Sequence, residues 1–383
     1  MYSSGTTGLP KCMVQSAGGI LLHHLKELIL HTDLKRDDNI FYFTSCGWMM
    51  WNWLVSSLAA GASIVLFDGN PFHPDPGALF DMVEKDKVTI FGTSAGFVSA
   101  LQTADYSPKD NYDLSSLRTV LSTGSPLSIE NFDFIYKEFK EDLQLASISG
   151  GSDLNGCFAL GNPMASVYAG ELQCRALGMD VDSFDENGNS IRNQHGELVC
   201  KSPFPSMPIY FWDDPEGKKY YSAYFYMFPN IWRHGDFIEI NDRGGVIIYG
   251  RSDTTLNPGG VRIGTAEIYR QVDSVLEIED SIVLGQNWNN DVRIILFVKL
   301  KENYELTMEL KDKIKKTIRV NASPRHVPSK IILVKDIPYT LTMKKVEMAV
   351  KKVIENKPVI NKDALKNPEA LDYFANIKEL SED

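Results

Sequence analysis

Nowhere in these 383 residues does an apolar run approach the ~18 consecutive positions that a membrane span needs, and the N-terminus lacks a secretory pattern. Cysteine is sparse. Cys12, Cys46, Cys157, Cys174 and Cys200 are odd in number, widely spaced and never in a CxxC pair, which leaves no ligand cluster for zinc. Reduced, mostly buried thiols in a cytosolic protein are the reading this supports. Positive charge is in deficit as well. With 39 Lys and Arg against 50 Asp and Glu, the net charge of −11 argues against broad binding to nucleic acid or a membrane surface. An anionic ligand therefore needs a local positive site. Repeats and low-complexity tracts are absent too.

What is present suits a globular chain with a sizeable core: 43% of residues are hydrophobic, and the length predicts two or three domains at roughly 100–200 residues each. Apolar positions over 18–32 fit an amphipathic helix. Short apolar runs at 40–44, 63–67, 88–93, 119–122 and 144–148 read as strands, and 75–87 and 128–139 read as helices between them. Strands alternating with helices predict an α/β fold with a largely parallel sheet covered on both faces. From about Gly196 the sequence becomes strand- and turn-rich, with strands at 198–201, 236–241 and 246–249. After Gly250 a second, α+β pattern begins, with helices at 265–274, 309–320 and 344–355 and strands at 280–284, 292–300 and 330–334. A boundary near 251–254 divides a large domain, 1–252, from a small one, 253–383. The last twenty or so residues are polar and fit either short helices or a frayed end.

Six short segments carry chemistry. Residues 2–11 read Tyr2-Ser3-Ser4-Gly5-Thr6-Thr7-Gly8-Leu9-Pro10-Lys11, a loop able to wrap a polyanion. Glycines admit close backbone approach, hydroxyls donate hydrogen bonds and Lys11 supplies a mobile charge. The run is not a Walker A loop, because Cys12 follows the lysine and the glycines are too close together. Only Met1 precedes it, whereas a phosphate loop normally follows a buried strand, so the chain reads as a fragment or as the product of an alternative start. Next, Gly124-Ser125-Pro126 closes a buried strand at the end where α/β sheets bind ligands, although a plain turn explains it equally. Ser152 and Asp153, in Ser149-Gly150-Gly151-Ser152-Asp153-Leu154-Asn155-Gly156, offer a hydroxyl for phosphate and a carboxylate for a hard cation, and an ordinary Asx loop fits nearly as well. Asp236, placed at a strand start, can accept from a ribose diol or sit in a surface turn. The stretch from Gly250 and Arg251 through Gly259, Gly260, Arg262 and Gly264 is denser in glycine and arginine than a structural hairpin requires. Lys344 and Lys345 follow a short turn and, alone, read as a solvated helix start.

In this order the segments resemble the adenylate-forming enzymes, a family of acyl-CoA synthetases, luciferases and peptide-synthetase adenylation domains. The match runs from Tyr2 to about Val350, and within the family the chain is most similar to members that activate acetoacetate. The resemblance implies ATP, Mg2+ and coenzyme A, with small-molecule partners only and no statement on oligomeric state. A carboxylate attacks the α-phosphate of ATP to give an acyl-adenylate and pyrophosphate, and coenzyme A then displaces AMP. By position, Ser4, Gly5, Thr6, Thr7, Gly8 and Lys11 would hold the β- and γ-phosphates. Gly124, Ser125 and Pro126 would lie along adenine, and Ser152 would touch the α-phosphate. Asp153 would bind Mg2+, Asp236 and Arg251 the ribose hydroxyls, Arg262 with Gly260 a phosphate, and Lys344 the adenylation transition state. Asp253 takes the family's hinge position.

The resemblance also frames the substrate. Where acetate-specific relatives place a tryptophan, this chain has Gly150-Gly151, which predicts room for a four-carbon keto acid, with Trp48 lining the same region. Two departures stand out. The family's long segment ahead of the first loop is absent, which predicts exposed apolar surface, and Met343 replaces the glycine before the catalytic lysine. At positive φ that exchange would cost on the order of 1 kcal/mol.

Overall fold

The computed structural model describes residues 1–2, 11–256, 258, 263–289, 291–341, 343–359 and 362–382. Backbone contacts divide the chain into two compact units: one holds Cys12–His234 and Ile238–Ile247, the other Gly235–Phe237 and Ile248–Asp383.

The first unit is built on five parallel strands in the order Ser63–Val65, Asn39–Tyr42, Ile90–Ser94, Thr119–Thr123 and Gln144–Ser147. These are the runs expected from sequence, with ends that differ by at most two residues. Helices Ala78–Lys85, Ala95–Thr103 and Ile129–Glu138 separate them. Ser94 and Ser128 cap two of these helices, accepting from the amides of Phe97 and Asn131 at 3.2 Å. An aromatic core joins helices to sheet, with Phe41 stacked on Phe91 at 5.4 Å and Phe80 edge-on to Phe139 at 5.0 Å. Each such ring contributes about 2–3 kcal/mol by leaving water. Gly92 is required by packing, because a Cβ there would lie 2.1 Å from the Tyr42 ring.

The helix expected over 18–32 differs in two ways. Ala17–Leu25 is α-helical, but Lys26–His31 widens to a π-helix that ends as the Thr32 amide donates to the Glu27 carbonyl at 3.0 Å. Its buried side carries His23, His24, Glu27 and His31, while Leu21, Leu22, Ile29 and Leu30 are exposed. Polar residues face inward because the elements beneath them present polar groups. The Glu27 carboxylate accepts from the Trp53 indole at 2.9 Å and the Cys157 amide at 2.8 Å, and His23 Nε2 lies 2.8 Å away. His24 bridges Ser56 Oγ and the Asn155 carbonyl at 2.8 and 2.6 Å. His31 contacts the Gly161 carbonyl at 2.7 Å and accepts from the Leu177 amide at 3.0 Å.

Beyond the parallel sheet, Ser149–Gly151, Gly156–Leu160 and Cys174–Arg175 form an antiparallel sheet. Val181–Phe184, Gly196–Cys200, Trp232–Ile240 and Val246–Arg251 follow in a four-stranded one, and Met13–Val14 pairs with Tyr210–Phe211. In the second unit Ile278–Trp288 pairs antiparallel with Asp291–Leu300, which pairs parallel with Lys330–Leu333. Thr265–Asp273 and Met308–Asn321 cover one face, and Glu347–Ile354 with the C-terminal segment covers the other. That segment is packed, not frayed: Phe374 meets Phe297 at 4.9 Å, and Arg293 donates to the carbonyls of Leu380 and Glu382 at 2.7 and 2.8 Å.

No disulfide joins any of the five cysteines, but only Cys157 and Cys200 are buried, and Cys46 is exposed, so the expectation of mostly buried thiols is corrected. Among the described residues no helix is long and apolar enough to cross a membrane.

Burial opposes ionisation of Glu27, yet the His23 imidazole, the Lys26 ammonium and the Cys157 amide outweigh it and lower its pKa from 4.5 to about 2. A carboxylate held lower when folded adds stability above its unfolded pKa and loses it as pH falls, here between about 4.5 and 2. Urea unfolding followed by tryptophan fluorescence should find Glu27→Gln less stable by about 3 kcal/mol above pH 5, with the difference vanishing toward pH 2.

Candidate functional site

Three of the sequence's candidate segments leave the same edge of the parallel sheet, where successive strand ends place their loops side by side. Gly124, Ser125 and Pro126 are exposed directly after Thr119–Thr123, and Gly124 takes the left-handed φ of 96° that turns the chain. The next strand delivers Ile148 and the hairpin carrying Ser152 and Asp153. Thr123 Oγ1 donates to the Ile148 carbonyl at 2.8 Å and the Ile148 amide to the Ser122 carbonyl at 2.8 Å, so the two loops are stitched together. Trp48 follows the end of Asn39–Tyr42, immediately precedes helix Met49–Ser56, and meets the Tyr42 ring edge-on at 6.3 Å.

The hairpin Ser149–Gly156 is close-packed. A Cβ on Gly150 would lie 1.9 Å from the Gly156 carbonyl oxygen, so glycine here serves the backbone approach, not an open pocket. Gly151 faces His234, whose ring atoms would lie 3.1 and 3.2 Å from a Cβ, with Asp153 Oδ2 at 3.7 Å. Gly156 in turn admits His23 and Glu27, which a Cβ would meet at 2.3 and 3.2 Å.

Asp153 is half-buried and held by residues that no motif had singled out. Tyr224 Oη donates to its Oδ1, and Gln15 Nε2 donates to its carbonyl at 3.0 Å. Tyr224 itself is fixed by stacking on Trp232 at 3.6 Å. Density of aromatics over 220–225 is the only sequence signal for Tyr224, and Gln15 has none. Among the described residues no three His, Cys, Asp or Glu side chains gather into a metal cage. A single carboxylate suits Mg2+, which keeps its waters and shares substrate phosphates instead of filling an all-protein site.

In the second unit Arg251 Nη1 donates to Asp236 Oδ1 at 3.0 Å, and Arg251 Nε lies 3.7 Å from Asp253 Oδ1. Gly235, at φ 85°, makes space for the guanidinium, since a Cβ would lie 2.7 Å from Nη2. Asp236 lies within strand Trp232–Ile240, not at its start as expected. Lys344 is exposed and precedes helix Glu347–Ile354 instead of opening it. Its turn is closed by the Thr340 amide donating to the Lys344 carbonyl at 2.9 Å and the Lys344 amide to Thr340 Oγ1 at 3.0 Å. Lys11 is half-buried beside the Tyr2–Cys12 bridge, which joins the two ends of the first loop. Ser4, Gly5, Thr6, Thr7 and Gly8 lie outside the described residues, as do Gly260 and Arg262.

A family model described as AMP-binding enzyme matches residues 1–211. Acetoacetyl-coenzyme A synthetase of Rhizobium meliloti (strain 1021) is 55% identical over 380 residues, covering 99% of this chain and 58% of that protein. The solved structure of acetoacetyl-CoA synthetase from Streptomyces lividans matches with a TM-score of 0.94 at 45% identity, over 100% of this chain and 59% of that one. The anthranilate CoA ligase AuaEII, solved in complex with anthranoyl-AMP, shares the fold, with a TM-score of 0.78 at 20% identity over 92% and 65% of the two chains. The chain thus spans about three-fifths of the length of the acetoacetyl-CoA synthetases it matches.

Met343, just before Lys344, has φ 59°, a left-handed conformation that a side chain disfavours. Met343→Gly should stabilise the second unit by about 1 kcal/mol in chemical denaturation, with the rest of the fold unchanged.

Proposed function

The chain belongs to the AMP-binding enzyme family, and on that premise we propose that it serves the ATP-dependent ligation of acetoacetate to coenzyme A. Identity of 45–55% to acetoacetyl-CoA synthetases over essentially the whole chain is the observation that carries this reading. In the first step a carboxylate oxygen of acetoacetate attacks the α-phosphorus of ATP, and the bond to the bridging oxygen breaks to release pyrophosphate. In the second, the thiolate of coenzyme A attacks the acyl carbonyl and AMP leaves with the bonding pair.

Each unit brings its own groups. In the first, Gly124, Ser125 and Pro126 offer an exposed backbone edge for adenine, and Ser152 offers a hydroxyl to the α-phosphate. Asp153, oriented by Tyr224 and Gln15, would hold Mg2+, which when bound neutralises charge on the phosphates. In the second, Asp236 accepts from the ribose hydroxyls, and its pairing with Arg251 keeps the carboxylate in place. Lys344 supplies a cation on an exposed turn for the charge that builds during adenylation. Ser4, Gly5, Thr6, Thr7, Gly8, Lys11, Gly260 and Arg262 complete the phosphate contacts, and Asp253 acts as the hinge between domains 1–252 and 253–383. Gly151 and Trp48 flank the acyl end, and the operating compartment is the cytosol.

Purified chain supplied with ATP, Mg2+, acetoacetate and coenzyme A should release pyrophosphate and AMP in equal amounts. Turnover with a different short acid alone would reassign the substrate, and ATP binding in calorimetry without product would mark a silent nucleotide-binding protein. Lys344→Ala should lower adenylate formation by about 100-fold or more while leaving thioester formation from supplied acetoacetyl-adenylate largely intact. Equal loss in both half-reactions would show that Lys344 does not serve the adenylation transition state.

A further inference from the structure

Two lysines stand side by side at the turn, and the fold treats them oppositely. Lys344 is exposed, whereas the neighbouring Lys345 side chain keeps only 21% of its surface. Its Nζ lies 2.8 Å from Asp280 Oδ1, donates to the Ser281 carbonyl and sits 4.4 Å above the Tyr269 ring. Tyr339, bridged to Lys345 across the turn, donates its hydroxyl to the other oxygen of the same carboxylate at 2.8 Å. One carboxylate thus grips both legs of the turn. Tyr269 is fixed in its place by donating to Glu347 Oε1 at 2.9 Å and accepting from the Val283 amide at 3.1 Å. Burial lowers the pKa of Lys345, but the carboxylates of Asp280, Asp273 and Glu347 outweigh it and raise the value above that of an ordinary lysine.

An ion pair taken largely out of water is a poor source of stability, since an apolar pair of similar volume does as well or better. It is a good source of register. Neighbouring side chains in an extended leg point to opposite faces, so a slip of one residue exchanges inside for outside. With Lys344 and Lys345 adjacent, both registers offer Asp280 a lysine, and Met343 at φ 59° makes the observed turn costlier than a relaxed one. The double grip on Tyr339 and Lys345 decides between them.

We propose that Lys345 is a positioning residue: held by Asp280, it fixes the register of the turn and so keeps Lys344 outward. The functional half of this proposal rests on the proposed part of Lys344 in adenylation; the register does not. In Lys345→Met the Asp280 carboxylate loses its cation, keeping only the Tyr339 hydroxyl and the Ser281 amide, and draws Lys344 inward. The rate at which acetic anhydride acetylates Lys344 in the full chain, read by peptide mass spectrometry, should fall at least fivefold. Lys345→Met combined with Asp280→Asn removes the attraction and should restore that rate to within twofold of the parent. A merely structural lysine would leave Lys344 reactivity unmoved, so a rate within twofold of the parent in Lys345→Met overturns the proposal. Should that variant fail to fold, Asp280→Asn decides: hydrogen exchange of the 339–345 amides should speed up at least tenfold, and unchanged exchange overturns the proposal equally. Adenylate formation in Lys345→Met should drop at least tenfold, with the thioester step from supplied acetoacetyl-adenylate within twofold. If Lys344→Ala leaves adenylation intact, the role of Lys344 falls while the acetylation rates still judge the register.

Discussion

The carboxylate of Glu27 is the junction on which the first unit depends. It joins helix Met49–Ser56 through Trp53, the inner strand Gly156–Leu160 through the Cys157 amide, and its own helix through His23. A buried anion is tolerable only when donors surround it, and each donor here belongs to a different element. The arrangement explains why the helix carries its polar residues inward. It also explains Gly156, which lets the imidazole and the carboxylate rest against the strand.

That junction lies immediately beneath the hairpin that presents Ser152 and Asp153. The backbone on one side of the turn is pinned by Glu27 and by His24 on the Asn155 carbonyl, and the carboxylate on the other is oriented by Tyr224. The carboxylate proposed to hold Mg2+ must sit within a few tenths of an ångström of its working position, and loops alone rarely give that precision. Here a rigid polar layer under a close-packed glycine hairpin supplies it. The same glycine packing narrows what Gly150 can say about substrate size: its missing side chain is accounted for by the Gly156 carbonyl, whereas at Gly151 a Cβ would meet only the His234 ring and Asp153.

Strand positions were legible because a parallel sheet buried on both faces imposes continuous apolar runs such as Ile90-Phe91, bounded by turn residues. Ligand loops were legible where glycine and hydroxyl residues cluster beyond what a turn needs. The face of the first helix was not, because the leucine pattern that marks a core face is outvoted by Glu27, His23 and His24, whose partners are about 130 residues away for Cys157 and Asn155. Gln15 and Tyr224 escaped for the same reason: a side chain that orients another acts through tertiary proximity, which leaves no periodicity to read. Met343 was the opposite case. Its cost was foreseeable from the residue type alone, given the turn it occupies, and the φ of 59° is the conformation that a glycine would have taken freely.

Both units therefore solve one problem in the same way. A candidate site group on a short turn takes its geometry from the neighbours that hold the turn's backbone. In the first unit the Asn155 carbonyl meets His24 and the Cys157 amide the buried Glu27 carboxylate, while half-buried Asp153 is met by Tyr224; in the second Tyr339 and Lys345 face Asp280 while Lys344 faces outward. A carboxylate suits this task better than an apolar patch because it accepts several directed hydrogen bonds at once, and direction is what a turn lacks. An apolar anchor would bury as much surface and leave the register open. The ordinary penalty of burying charge is thus the cost of specifying one arrangement among several that pack equally well.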